Sequence, residues 1–296
     1  MKRHLPSLFL ASFLLAACHL GQSQNKEPQV IVVPTDEMSR QPSLGPATVA
    51  TPAPAPAPQM EVAVATPSTP GTAPTTVRRY SYNGCNVAGP YIAITFDDGP
   101  HPTLTPKLLD MLKERNIKAT FYVLGQNVQQ YPDIMKRMVA EGHEVGNHSW
   151  NHPALTKLGA AGVKSQMDRT TEAIIKACGQ RPATMRPPYG ATNASLNKRL
   201  TEEFNMPVIL WTVDPLDWKY RNAERVSNQI IENTRSGAIV LAHDIHPSTI
   251  AAMPKTLDAL TAKGFKFVTV SELLTMDRGP ELVKKDTPSQ PAEKTP

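Results

Sequence analysis

At 296 residues the chain has room for one large or two small domains, but proline and small polar residues gather at its two ends, so only the middle can bury a sizeable core. The formal net charge of +5 falls by two, to +3, if Lys2 and Arg3 leave with an N-terminal leader. So slight a positive bias argues against a nucleic-acid binder that works by charge.

Lys2 and Arg3 precede an apolar stretch over residues 8–17, the charged and apolar regions of a signal peptide, too short for an ordinary transmembrane helix. Residues 1–17 are therefore expected to be a signal peptide. The string Leu15-Ala16-Ala17-Cys18 resembles the bacterial lipobox, which implies cleavage before Cys18 and a lipid on its thiol. The plainer alternative is a secretory leader with an incidental cysteine. A two-chain lipid would hold the protein stably on a membrane. Residues 18–78 lack helical or strand periodicity, and the APAPAP run at 53–58 favours polyproline II, so a disordered Pro-rich linker is expected there. At about 3.1 Å per extended residue, its reach would be on the order of 100 Å. The tail over 279–296, rich in Lys, Glu, Pro and Thr, is expected to be disordered as well. Cys85 and Cys178 remain in a setting that permits a disulfide, and their spacing leaves pairing open.

Between these ends, residues 79–278 alternate β-prone runs with helical patterns and are expected to form the catalytic domain. Strands are predicted at 91–96, 119–124, 143–147, 183–186, 207–212, 238–242 and 266–270. The first helix is predicted with Thr105 as its N-cap and Pro106 at its first position. Others are predicted near 132–141, 160–177, 193–203, 222–235, 249–263 and 271–276. Repeated β-then-α units argue for an α/β fold whose parallel strands form an open sheet or close into a barrel.

Five short strings sit just after five of these strands: TFDDGP at 95–100, NHSWNH at 147–152, RPPYG at 186–190, DPLDW at 214–218 and LAHD at 241–244. Strand C-termini are where α/β enzymes place their chemistry. His148 and His152 would lie one turn apart on one face if the chain turns helical from Ser149. With Asp98 they make a two-His, one-Asp set that leaves coordination positions open, the mark of a catalytic metal. Taken alone, such a His pair is more often a surface or core feature. Asp97 and Asp98 leave their strand in different directions, so one can bind metal while the other faces water. The bland reading is an Asx turn before Gly99-Pro100. His243, at the end of an apolar run, suits a general acid, with Asp217 or Asp214 favouring its imidazolium form. Arg186 could pair with Asp97 and hold it ionised; a purely structural ion pair is the competing account. His143 is expected to pack beside the third strand, and His101 and His246 to line the rim.

These strings, in this order across about residues 88–276, resemble the NodB-homology polysaccharide deacetylases, carbohydrate esterase family 4. The resemblance implies a distorted (β/α)7 barrel with parallel strands, and removal of acetyl groups from N-acetylglucosamine in chitin, peptidoglycan or related glycans. It implies Asp97 as catalytic base, Asp98, His148 and His152 as ligands of one divalent metal, and His243 as general acid. Arg186 would orient Asp97, Asp217 would tune His243, and the backbone N–H of Tyr189 would bind the oxyanion. Trp218 and Leu241 would wall the pocket for the acetyl methyl, beside Tyr189. A departure falls at Ala242, where a bulkier apolar residue is frequent, and it bears on pocket fit.

The donor set suits zinc first, with cobalt, nickel or iron as alternatives. Two rival functions remain: O-deacetylation of an acetylated xylan or similar glycan, which uses the same residues, and a non-catalytic glycan-binding lipoprotein. The second predicts a lost base, acid or ligand, and none is lost. A lipoprotein on the extracytoplasmic side of a bacterial membrane would meet peptidoglycan continuously, which favours that glycan over soluble chitin fragments. The expected partners are the glycan and, through Cys18, the membrane; no nucleic acid or protein partner is expected.

Overall fold

The computed structural model describes residues 79–279; the signal peptide, Cys18, the Pro-rich linker and the tail beyond Gly279 lie outside the described residues. Seven short strands, β1 (Ser81–Tyr82), β2 (Tyr91–Asp97), β3 (Thr120–Val123), β4 (Glu144–Asn147), β5 (Val208–Ile209), β6 (Ile239–His243) and β7 (Lys266–Phe267), pair only in parallel. β2 is the axis of the sheet. It pairs with β3 along one edge and with β6 from Ala93 to Asp97, while its first residues pair with β7.

β4 extends the sheet beyond β3. From there single bridges, Asn147 to Met185 and Met185 to Val208, lead to β5, and a bridge from Val213 to Val240 returns to β6. The strands thus run in a closed ring, an α/β barrel with one thin side. The runs at 183–186 and 207–212, predicted as full strands, pair only at isolated positions there. Pro182, Pro187 and Pro207 bracket them, and proline cannot donate to a ladder. β1, which pairs with β5, was not predicted.

The helices are α1 (Leu104–Glu114), α2 (Gly125–Gln130), α3 (Pro132–Ala140), α4 (Ala160–Cys178), α5 (Ala194–Glu203), α6 (Asp217–Tyr220), α7 (Ala223–Asn233), α8 (Pro247–Ala262) and α9 (Val270–Thr275). Asn193 and Asn222 cap α5 and α7 by accepting from the N–H groups of Leu196 and Arg225, and Thr269 with Glu272 forms a capping box at the start of α9. The predicted cap of α1 is corrected. Thr103 holds the N-cap position, and Thr105 lies buried in the first turn, accepting from His101 N–H at 2.7 Å and donating to Asp244. His101 caps this helix instead of lining a rim, its Nδ1 accepting from Thr103 N–H and Leu104 N–H, each at 3.2 Å.

Side-chain alternation along the strands separates two cores. Ile92, Ile94 and Phe96 of β2, with Val240 and Ala242 of β6, face outward into the layer between sheet and helices. Ala93, Tyr122, Ile209 and Ile239 fill the barrel interior, which Val270 and Leu273 also join. Asp97 and His243 occupy the same alternating positions as Ala93 and Ile239, so they emerge at the top of the interior. Ala242 packs in the outer layer, and its small size therefore has no bearing on the pocket. His143 is buried edge-on against Phe121, as predicted, and accepts from Ala119 N–H at 3.2 Å; burial pushes its imidazole down to about 4. Cys85 and Cys178 are unpaired.

Candidate active site

Asp97 and His243 close neighbouring strands and sit directly opposite each other across the β2–β6 pairing. Asp97 is 3% exposed and accepts from Arg186 Nη1 at 2.7 Å. Arg186 is fully buried. Its guanidinium also donates to Thr95 Oγ1 at 2.6 Å and to the carbonyls of Ile209 and Leu210 at 3.2 and 3.1 Å, and lies 4.3 Å from the centre of the Tyr122 ring. A buried charge is tolerable when paired and hydrogen-bonded in this way. One oxygen of Asp97 is committed to Arg186; the other lies 3.7 Å from His148 Nε2.

Asp98 adopts φ 72°, in the left-handed region. Its Oδ1 stands 3.4 Å from Nε2 of both His148 and His152. Burial opposes its charge, yet the imidazole of His148 close by, with further attraction from His243 and His152, holds the Asp98 carboxyl well below the ordinary range. The two histidines do not share a helix. Ser149 and His152 have φ of 71° and 64°, and the loop from 148 to 152 is a left-handed turn. It is pinned from inside by Asn147, whose side chain accepts from Ser149 N–H at 2.8 Å and donates to Met167 O and Thr171 Oγ1 of α4. Gln166 of α4 accepts from Trp150 N–H at 2.8 Å.

This set fits a divalent metal. One ligand atom from each of Asp98, His148 and His152 lies within 4.8 Å of the others. His148 Nδ1 donates to the Arg186 carbonyl at 2.7 Å, which fixes the tautomer that leaves Nε2 a lone pair. Asp98 Oδ1 is buried with no hydrogen-bond partner, a costly state for an anion that a cation would relieve.

His243 Nδ1 donates to Asp217 Oδ1 at 2.8 Å, and Asp217 also accepts from His243 N–H at 2.9 Å, Thr249 Oγ1 at 2.6 Å and Trp218 N–H at 2.9 Å. Of the two acids that the sequence offered, it is Asp217 that holds His243; Asp214 accepts from Leu216 N–H instead. Burial works against the imidazolium, but Asp217, helped by the charges of Asp97 and Asp98, raises His243 to about 9. Asp217 itself is lowered despite burial, through the hydrogen bond from His243.

A cavity of about 490 Å³ joins these groups, lined also by Tyr189, Trp211, Trp218, Leu241 and His246. Tyr189, at φ 62°, belongs to a tight turn over Pro188–Gly190; the Gly190 and Ala191 N–H groups are taken by carbonyls of that turn, and the Tyr189 N–H is not. Three participants escaped the sequence reading. Trp211 and Arg221 line the cavity, and Asp244, within the string at 241–244 but given no role there, is fully buried. The Asp244 carboxyl is raised to about 7 by burial and packed so closely on Gly99 that a Cβ there would overlap it. The only signal for Asp244 was its place beside His243.

A sequence profile described as polysaccharide deacetylase matches residues 74–208. A peptidoglycan-N-acetylglucosamine deacetylase of Bacillus cereus is 37% identical over 205 residues, covering 67% of this chain and 73% of that protein. The chain belongs to the polysaccharide deacetylase family. The peptidoglycan-N-acetylglucosamine deacetylase PgdA of Listeria monocytogenes is 50% identical over 182 residues, 62% of this chain and 38% of that protein, so the chain spans well under half the length of that relative. The solved structure of peptidoglycan deacetylase PdaC from Bacillus subtilis matches with a TM-score of 0.60 at 42% identity, over 66% of this chain and 92% of that one.

Proposed function

We propose that this protein hydrolyses N-acetyl groups of N-acetylglucosamine residues in a cell-envelope polysaccharide, with peptidoglycan as the foremost substrate and chitin-type oligosaccharides next, releasing acetate. The observation that carries the proposal is one cavity with a buried carboxylate, Asp97, facing a carboxylate-paired imidazole, His243, beside the Asp98–His148–His152 set. The names of the relatives, peptidoglycan deacetylases, support the substrate class. When bound by Asp98, His148 and His152, a divalent ion, zinc before cobalt, nickel or iron, would supply Lewis-acid polarisation and a more acidic water.

The chain's own groups then divide the work. Asp97, oriented by Arg186, takes a proton from the attacking water. The Tyr189 N–H donates to the oxygen that gains charge, a contribution of roughly 3 to 4 kcal/mol for a well-placed donor. His243 gives its proton to the departing amine, which is otherwise a poor leaving group. Trp218 and Leu241 supply apolar walls against which the acetyl methyl packs.

The test is acetate release from peptidoglycan and chitin oligosaccharides by the metal-loaded protein, with metal content measured on the same samples. We expect near one divalent ion per chain, loss of activity with a chelator, and loss of the ion in a His148→Ala, His152→Ala double variant. Full metal content in that variant would remove the proposed ligand set, and no acetate from any glycan would remove the enzyme.

We also propose that Cys18 carries a lipid that anchors the protein on the extracytoplasmic side of a bacterial membrane, on the strength of the string Leu15-Ala16-Ala17-Cys18. Cys18→Ser is expected to leave the precursor uncleaved or to release the protein from the membrane fraction. Unchanged size and partition of the variant on fractionation would dispose of the anchor.

A further inference from the structure

Arg221 lines the cavity together with Tyr189, Trp218 and His246, and the proposed hydrolysis gives it no task. It ends α6 in a left-handed conformation, φ 48°, and its side chain is exposed, with no ion pair or side-chain hydrogen bond among the described residues. Asp214, an acid lining the same cavity, accepts from the Leu216 backbone. Two more cations stand close by, without an ion pair among the described residues: Lys219 Nζ lies 5.3 Å, and the Arg225 guanidinium 3.8 Å, from the centre of the Tyr220 ring. Trp218 is 50% and Tyr220 42% exposed.

Residues 218–221 and Arg225 therefore bring two exposed aromatic rings and three cations, without an ion pair among the described residues, to a short segment that begins at the cavity wall. Exposed rings suit the apolar faces of sugars, and a guanidinium is a planar fork matched to a carboxylate. A neutral acetamide offers a guanidinium one carbonyl oxygen but no charge, and the ammonium that replaces it repels it, so a carboxylate is the better match. We propose that Arg221, with Lys219 and Arg225 behind it, forms a carboxylate-binding subsite. It would read an acidic group on the glycan beside the sugar being deacetylated, making the preferred substrate an anionic N-acetylated glycan. This rests on the deacetylase reading above. Two sources share that chemistry: a lactyl ether on the adjacent sugar, and the peptide that cross-links such a glycan.

The test compares kcat/KM of the full, metal-loaded protein on four glycans of equal length: a neutral N-acetylglucosamine oligosaccharide, one with lactyl ethers on alternate sugars, the same with its lactyl carboxylates converted to amides, and the same carrying peptides with free carboxylates. The wild type is expected to favour a carboxylated glycan over the neutral one by about tenfold or more, less so at high salt. Arg221→Gln should erase most of that ratio, and Arg221→Lys should restore part of it, which damage to the fold alone would not do. A preference that survives amidation only when peptide is present assigns the carboxylate to the peptide; one abolished by amidation assigns it to the lactyl group. Equal rates on acidic and neutral glycans by the wild type, or a ratio untouched by Arg221→Gln, would overturn the subsite while acetate from the neutral oligosaccharide still upheld the enzyme. Acetate from none of the four would overturn both.

Discussion

Asp97→Asn is expected to lower acetate release by roughly 10³-fold or more, about 4 kcal/mol of barrier, while the protein still binds its metal. The asparagine keeps the shape of the side chain and an oxygen for Arg186, but it has no basic oxygen to take a proton. Metal retention is expected from geometry, because it is Asp98 Oδ1, 3.4 Å from both imidazoles, that completes the proposed ligand set. Activity and metal content measured on one sample decide it: a variant that loses both in parallel would make Asp97 a ligand, and a variant with near wild-type turnover would deny it the role of base.

The second large effect concerns His243. His243→Ala should slow an N-acetyl substrate by about 10²-fold or more and an activated acetyl ester far less, because an activated leaving group departs without a proton. Equal losses on the two would refute a general acid. Its pH signature has a definite sign. With His243 raised to about 9, the imidazolium that donates the proton is present below that pH and is lost as pH rises through it, so the rate should fall on the alkaline side. A bound cation would offset the part of the shift that Asp97 and Asp98 contribute; the Asp217 hydrogen bond would remain. Asp217→Asn should therefore move the alkaline limb to lower pH by about one unit or more, and a limb that stayed in place would show that another group governs it.

The chemistry was legible in the sequence because it sits in short strings at strand ends, where side-chain alternation alone sends Asp97 and His243 inward and Ala242 outward. The spacing of His148 and His152 was legible too, but not the means: a separation of four residues fits a helical turn, and the chain instead uses left-handed residues at Ser149 and His152, pinned by Asn147 and Gln166. Nothing local distinguishes the two. The choice of Asp217 over Asp214 was equally hidden, since both follow β5 within four residues of each other. Only the folded chain brings Thr249 and the His243 backbone to Asp217. The thin side of the barrel was masked by apolar runs that read as strands although prolines interrupt their donors. α2 lacked any apolar period long enough to register.

That thin side has a consequence for how the protein can change. Where the sheet is held by single bridges at Met185, the neighbouring Arg186 reaches across and grips the carbonyls of Ile209 and Leu210 as well as Asp97. One guanidinium thus closes the wall and holds Asp97, the proposed base. Any variant that relaxes the wall to admit a different sugar also loosens Asp97, so adaptation to new substrates is channelled away from this seam and toward the exposed residues 219–221 that follow Asp217 and Trp218.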